Sequence, residues 1–125
     1  MNIRAYNDLE VWQKAIDLVV LVYDVTQTFP PDERFGLTNQ VRRAAVSIPA
    51  NIAEGQGRKH TAEFSHFLAI ARGSLLETET HFAIALRLTY VTPEQFQSIS
   101  AMTQATGRLL NGLIRALAAR QIRQH

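Results

Sequence analysis

The stretch Leu37-Thr38-Asn39-Gln40-Val41-Arg42-Arg43-Ala44-Ala45-Val46-Ser47-Ile48-Pro49-Ala50-Asn51-Ile52 sets its apolar residues at helical intervals. Leu37, Val41, Ala44, Ile48 and Ile52 recur at offsets of four, seven, eleven and fifteen, which lines them along one face of a helix. Pro49 sits inside this phase. Its ring removes an amide donor and crowds the carbonyl of Ala45, so it either breaks a helix or bends it. The apolar phase survives from Val41 to Ile52, and this favours one helix kinked at Pro49 over two pieces. Asp32 and Glu33 suit the positive N-terminal end of that helix. Gly55-Gln56-Gly57 stops it in the manner of a glycine cap.

Three further helices extend outward from this one. The first runs from about Asp8 to Thr28, with Asn7 and Glu10 forming a capping-box pattern. Leu9, Trp12, Ile16, Val19 and Tyr23 make one apolar stripe on it, and Val11, Leu18, Val22 and Val25 make a second. Phe29-Pro30-Pro31 ends it, because the residue before a proline is driven from helical angles. Thr61 can cap the third helix, which runs to about Leu88 or Tyr90, with Phe64, Phe67 or Leu68, Ala71, Leu75, Phe82 and Leu86 facing inward. Thr92-Pro93-Glu94-Gln95 is the clearest start signal in the chain: a capping Thr, Pro at the first helical place, and Gln reaching back. Phe96, Ile99, Thr103, Thr106, Leu110, Leu113 and Leu117 trace the fourth helix behind it. Long helices joined by short connections predict an all-α, antiparallel up-down four-helix bundle in a single domain, 1–125.

Composition narrows the chemistry. The 125 residues include 13 Lys plus Arg, 11 Asp plus Glu and no Cys. The missing Cys excludes a disulfide framework, Cys-ligated zinc and thiol catalysis. The longest apolar run, Leu18 to Val22, is too short to span a bilayer. The N-terminal end carries Asp8 and Glu10 in place of a signal peptide's basic and apolar regions. A soluble cytoplasmic protein with no membrane partner is the expectation.

Catalytic and metal signatures are weak. Glu63 and His66 form Glu-x-x-His, and Glu77 and His81 lie four apart. A di-iron bundle needs such pairs on different helices, whereas both fall on the third. Ser47, Ser65 and Ser74 sit in no nucleophile elbow. Gly55-Gln56-Gly57-Arg58-Lys59 lacks the spacing and preceding strand of a phosphate loop. No catalytic residue, metal, cofactor or small-molecule substrate is expected. Glu54, Arg72 and Glu77 are expected to form a structural polar cluster, since a buried Arg requires an acid partner.

At this point the residues carry a resemblance. Asp8 to Ala15, Gly36 to Ala44, the block Ser47-Ile48-Pro49-Ala50-Asn51-Ile52-Ala53-Glu54-Gly55 and Ala71-Arg72-Gly73-Ser74-Leu75 resemble the four-helix bundle family of 23S ribosomal RNA intervening-sequence proteins. The likeness is weakest after Glu94, and Thr78 stands where members usually carry Leu. It implies a bacterial cytoplasmic bundle without enzymatic activity, assembled as a ring-like homopentamer. A similar bundle, the accessory variability determinant of retroelements, works with a reverse transcriptase.

Charge placement suggests a role. Net charge is only +2, but every acid lies at or before Glu94. Arg108, Arg115, Arg120 and Arg123 follow without an acid to offset them, and Arg108, Arg115 and Arg123 share a helix face by spacing. With Arg42, Arg43, Arg58 and Lys59, the residues at 108, 115 and 123 are the expected nucleic-acid contacts, for RNA or DNA. Five copies would together carry about +10 and accumulate phosphate contacts. The rival reading is a protein-interaction scaffold with no nucleic-acid role. Self-association also follows from the first helix, whose two apolar stripes exceed what one core needs.

Overall fold

The computed structural model describes residues 5–123, without the side chains of Asp8 and Arg123. Four helices make up the chain: α1 (Glu10–Thr26), α2 (Leu37–Gln56), α3 (Thr61–Arg87) and α4 (Pro93–Arg123). Single 3-10 turns precede α1 at Tyr6–Asp8 and α2 at Pro31–Glu33, and no strand occurs among the described residues. Contacts join α1 to α2, α2 to α3, α3 to α4 and α4 back to α1, while the pairs α1/α3 and α2/α4 do not meet. That is the square section of an antiparallel four-helix bundle.

The core follows the helical phases closely. Val41, Ala45, Ile48 and Ile52 of α2 meet Leu68, Ala71, Leu75 and Phe82 of α3, with Ile99, Leu110, Leu113 and Leu117 from α4. α2 continues through Pro49 without interruption, and Pro49 itself is buried. On α1 the second stripe, Val11, Leu18, Val22 and Val25, is the buried one, joined by Ala15. Of the first stripe, Leu9 is buried ahead of the helix, Trp12 and Val19 only lean against the core, and Tyr23 is exposed.

Local chemistry sets the helix ends. The amide of Thr92 donates to Gln95 Oε1 at 2.9 Å, and the amide of Gln95 donates to Thr92 Oγ1 at 3.1 Å. This is the reciprocal capping box read from the sequence. α1 departs from expectation: it starts at Glu10, two residues late, and Asn7 lies in the preceding turn without capping it. α2 begins at Leu37 rather than near Asp32 or Glu33. Glu33 nevertheless caps it, accepting the Leu37 amide at 3.1 Å, while Tyr90 Oη donates to its other oxygen at 2.9 Å. One carboxylate thus ties the α3–α4 connection to the start of α2.

Gly57 is the C-cap of α2 but has ordinary right-handed angles. Gly55 has a packing role instead. A Cβ there would lie 2.7 Å from Phe67 Cβ and 3.0 Å from Phe64 Cδ1, so only glycine lets α2 and α3 approach this closely. Further along the same seam, Asn51 Nδ2 donates to the Ser47 carbonyl and to Ser47 Oγ, both at 2.8 Å. Ser74 Oγ donates to Ser47 Oγ at 2.9 Å. Buried threonines satisfy their own hydroxyls: Thr26, Thr78 and Thr106 each donate to the carbonyl four residues back. Thr78 therefore fills a core position without leaving an unpaired donor.

Candidate nucleic-acid interface

The expected cations divide between opposite corners of the bundle. Arg42 and Arg43 belong to α2, and Arg108 and Arg115 to α4, its diagonal partner. One subunit therefore cannot present all of them to one ligand.

Those on α2 are largely committed. Arg42 Nε donates to Thr26 Oγ1 at 2.8 Å and Nη2 to the Tyr23 carbonyl at 3.3 Å. Its guanidinium also lies 4.5 Å from the centroid of the Tyr23 ring. These contacts pin α2 against the end of α1, so Arg42 is a structural residue. Arg58 pairs with Glu54 at 2.8 Å, one helical turn away, and lies 4.8 Å over the Phe67 ring. Arg43 is exposed beside a polar hollow of about 400 Å³ that it lines with Asn39, Gln40, Glu77 and His81. Nδ1 of His81 is buried without a hydrogen-bond partner. Lys59 is exposed in the α2–α3 connection.

On α4, Arg108 and Arg115 are exposed two turns apart. The side chain of Arg123 lies outside the described residues. The structure adds a residue that sequence reasoning assigned elsewhere: Arg72 of α3 lines the same groove as Arg108, with Gln104 and Asn111 between them. Neither Arg72, Arg108 nor Arg115 forms an ion pair among the described residues.

The buried cluster expected of Glu54, Arg72 and Glu77 is therefore corrected. All three are exposed, and Glu54 takes Arg58 as its partner. Five residues separate Arg72 from Glu77, a rotation of about 140° on a helix of 3.6 residues per turn. Arg72 consequently faces the α4 side of α3 and Glu77 the α2 side. The signal was present in the phase, because Arg72 lies one turn before Leu76 and two before Glu79, both in the α3–α4 groove.

Exposed apolar side chains include Val20 and Tyr23 on α1, Val46 on α2, Ile70, Leu76 and Ile84 on α3, Ile122 on α4, and Phe35 in the α1–α2 connection, which is 84% exposed. A Cβ at Gly73, on the outer face of α3, would meet nothing within 4 Å. No helix of the described residues is long and apolar enough to cross a membrane.

No curated protein matches the chain in sequence. A solved structure from Bacteroides thetaiotaomicron VPI-5482, a protein of unknown function from the S23 ribosomal protein family, is 28% identical to it. The match covers 83% of this chain and 97% of that one, with a TM-score of 0.77. The family model for the 23S rRNA-intervening sequence protein matches residues 7–112, which spans α1, α2, α3 and most of α4. With the four-helix bundle, the Pro49 block packed into the α2–α3 seam, and this match over most of its length, the chain belongs to the 23S rRNA-intervening sequence protein family.

Proposed function

We propose that this chain is a non-enzymatic, cytoplasmic homo-oligomer that binds RNA through the α3–α4 face of its subunits. The observation that carries the reading is the set Arg72, Arg108 and Arg115, exposed on adjacent helices with no ion-pair partner among the described residues. Arginine forks suit phosphate oxygens, and unpaired guanidiniums are released from no competing acid on binding. A ring repeats the face in every copy, so weak contacts sum. Exposed Val20 and Ile84, away from this face, support self-association.

Binding of labelled RNA across a salt series tests this. Affinity should fall steeply with salt, because each neutralised phosphate releases condensed counterions. Replacing Arg108, Arg115 and Arg123 with Gln should weaken binding to all sequences alike and flatten the slope by roughly one unit per lost contact. No binding at low salt would favour a protein-interaction scaffold, in which the basic groups pair across subunits.

A further inference from the structure

Two hollows between α3 and α4 share Glu79, Thr103 and Gln104, so they form one continuous groove. Its two ends differ in chemistry. One end, about 310 Å³, has the buried ring of Phe82 and Ile99 as floor, with half-buried Phe96 at its side. The other, about 300 Å³, is bounded by Arg72 and Arg108. Glu79, half-buried, stands between the ends with the amide of Gln104. From Arg72 to Glu79 is seven residues, about 10 Å along the helix axis.

An apolar slot with an aromatic wall, a hydrogen-bonding pair at its middle and two guanidiniums bounding its other end matches the parts of an unpaired nucleotide. Resting on the RNA-binding reading, we propose that this groove is a nucleotide site: it takes one unstacked base of a single strand against Phe96, and the adjoining phosphate on Arg72 and Arg108. The Glu79 carboxylate only accepts hydrogen bonds, so it favours a base that offers an exocyclic amine, as adenine does, over uracil, whose single N3–H donor lies between two carbonyl oxygens. Gln104 Nε2 donates one hydrogen to Ser100 Oγ at 3.1 Å and has a second for a ring nitrogen or carbonyl. A duplex cannot enter, because its bases are paired and stacked and only its phosphates are presented. An acyl chain with a carboxylate head would suit the two ends but would leave Glu79 and Gln104 facing hydrocarbon, an unfavourable pairing.

Anisotropy with four labelled probes of equal length tests the site in the whole protein. These are single-stranded oligo(A), oligo(U), the same phosphodiester chain made abasic, and an RNA duplex. The single strand should bind about tenfold tighter than the abasic strand, the loss expected for one base–aromatic stack. Phe96→Ala should bring oligo(A) down to the abasic level and leave the duplex unchanged. Since Phe96 is partly in the core, Gln104→Leu serves as a second variant: Gln104 is exposed, and loss of its amide without a change of charge should weaken oligo(A) and leave the abasic strand unchanged. Glu79→Gln should erase the preference for oligo(A) over oligo(U). Equal binding of the base-bearing, abasic and duplex probes would overturn the nucleotide site while leaving phosphate-mediated RNA binding intact. No binding of any probe at low salt would overturn both.

Discussion

Arg42 and Arg108 carry the same charge and do different work. Arg42 spends its donors on Thr26 and Tyr23 and its face on the Tyr23 ring. Arg42→Met should therefore destabilise the fold by about 1–3 kcal/mol, summing a hydrogen-bond loss with a cation–π contact, and leave RNA affinity untouched. Chemical denaturation with a parallel binding titration separates the two effects. A variant that binds RNA more weakly at unchanged stability would return Arg42 to the interface. Tyr90 offers a second residue-scale check. Its hydrogen bond to Glu33, then its partial burial and the charge of that carboxylate, raise its pKa above the ordinary 10.0. A raised acid is stabilised in its neutral form, so its contribution is fully present below pH 10.0 and is lost as pH rises through the folded value. Wild type should melt above Tyr90→Phe at neutral pH, and the gap should close in strong alkali. A gap that persists there would detach stability from the Tyr90–Glu33 bond.

At the scale of elements, glycines with the same helix-weakening propensity serve different ends. Gly55→Ala would drive a Cβ into Phe67 and Phe64 and should cost about 1–3 kcal/mol of overpacking. Gly112→Ala meets nothing closer than Arg115 Nη2 at 4.0 Å and should gain up to about 1 kcal/mol of helix propensity. Thermal melts of the two variants should move in opposite directions, and a shift of the same sign in both would contradict the close approach at Gly55. These positions also show what could be read before the fold was known. The capping box at Thr92 and the inward phase of α4 were legible, because both depend on residues three or four apart. Which α1 stripe is buried was not, since Leu9-Trp12-Ile16 and Val11-Leu18-Val22 are equally apolar and only the positions of α2 and α4 choose between them. The fate of Arg72 was lost in the same way. Its register on α3 could be read, but which neighbour stands on that side depends on topology.

In the whole molecule, α1 and α3 occupy opposite corners, and each turns apolar side chains outward. Val20 is 64% exposed on α1, and Ile84 is 43% exposed on α3, three turns along the same face from the open space over Gly73. Such residues contribute nothing to the subunit's own core. Covering them with another copy removes apolar area from water at about 25 cal/mol per Å². Two different patches on opposite sides favour a heterologous contact, the outer face of α1 on one copy against the outer face of α3 on the next. A heterologous contact must close into a ring or run on as a fibre. Gly73 fits this arrangement, because a residue without a side chain lets a neighbouring helix come close where the subunit itself places nothing. The expected ring of five would have a mass of about 70 kDa, five times the 14.0 kDa of one chain, by light scattering at micromolar concentration. Val20→Lys and Gly73→Trp should each yield monomers that keep the helical content and melting behaviour of a folded bundle, because both side chains project away from the core. A wild-type mass of one chain would reject self-association, and one of two or four chains would reject the five-membered ring. Full-size assemblies from both variants would move the contact off these two faces.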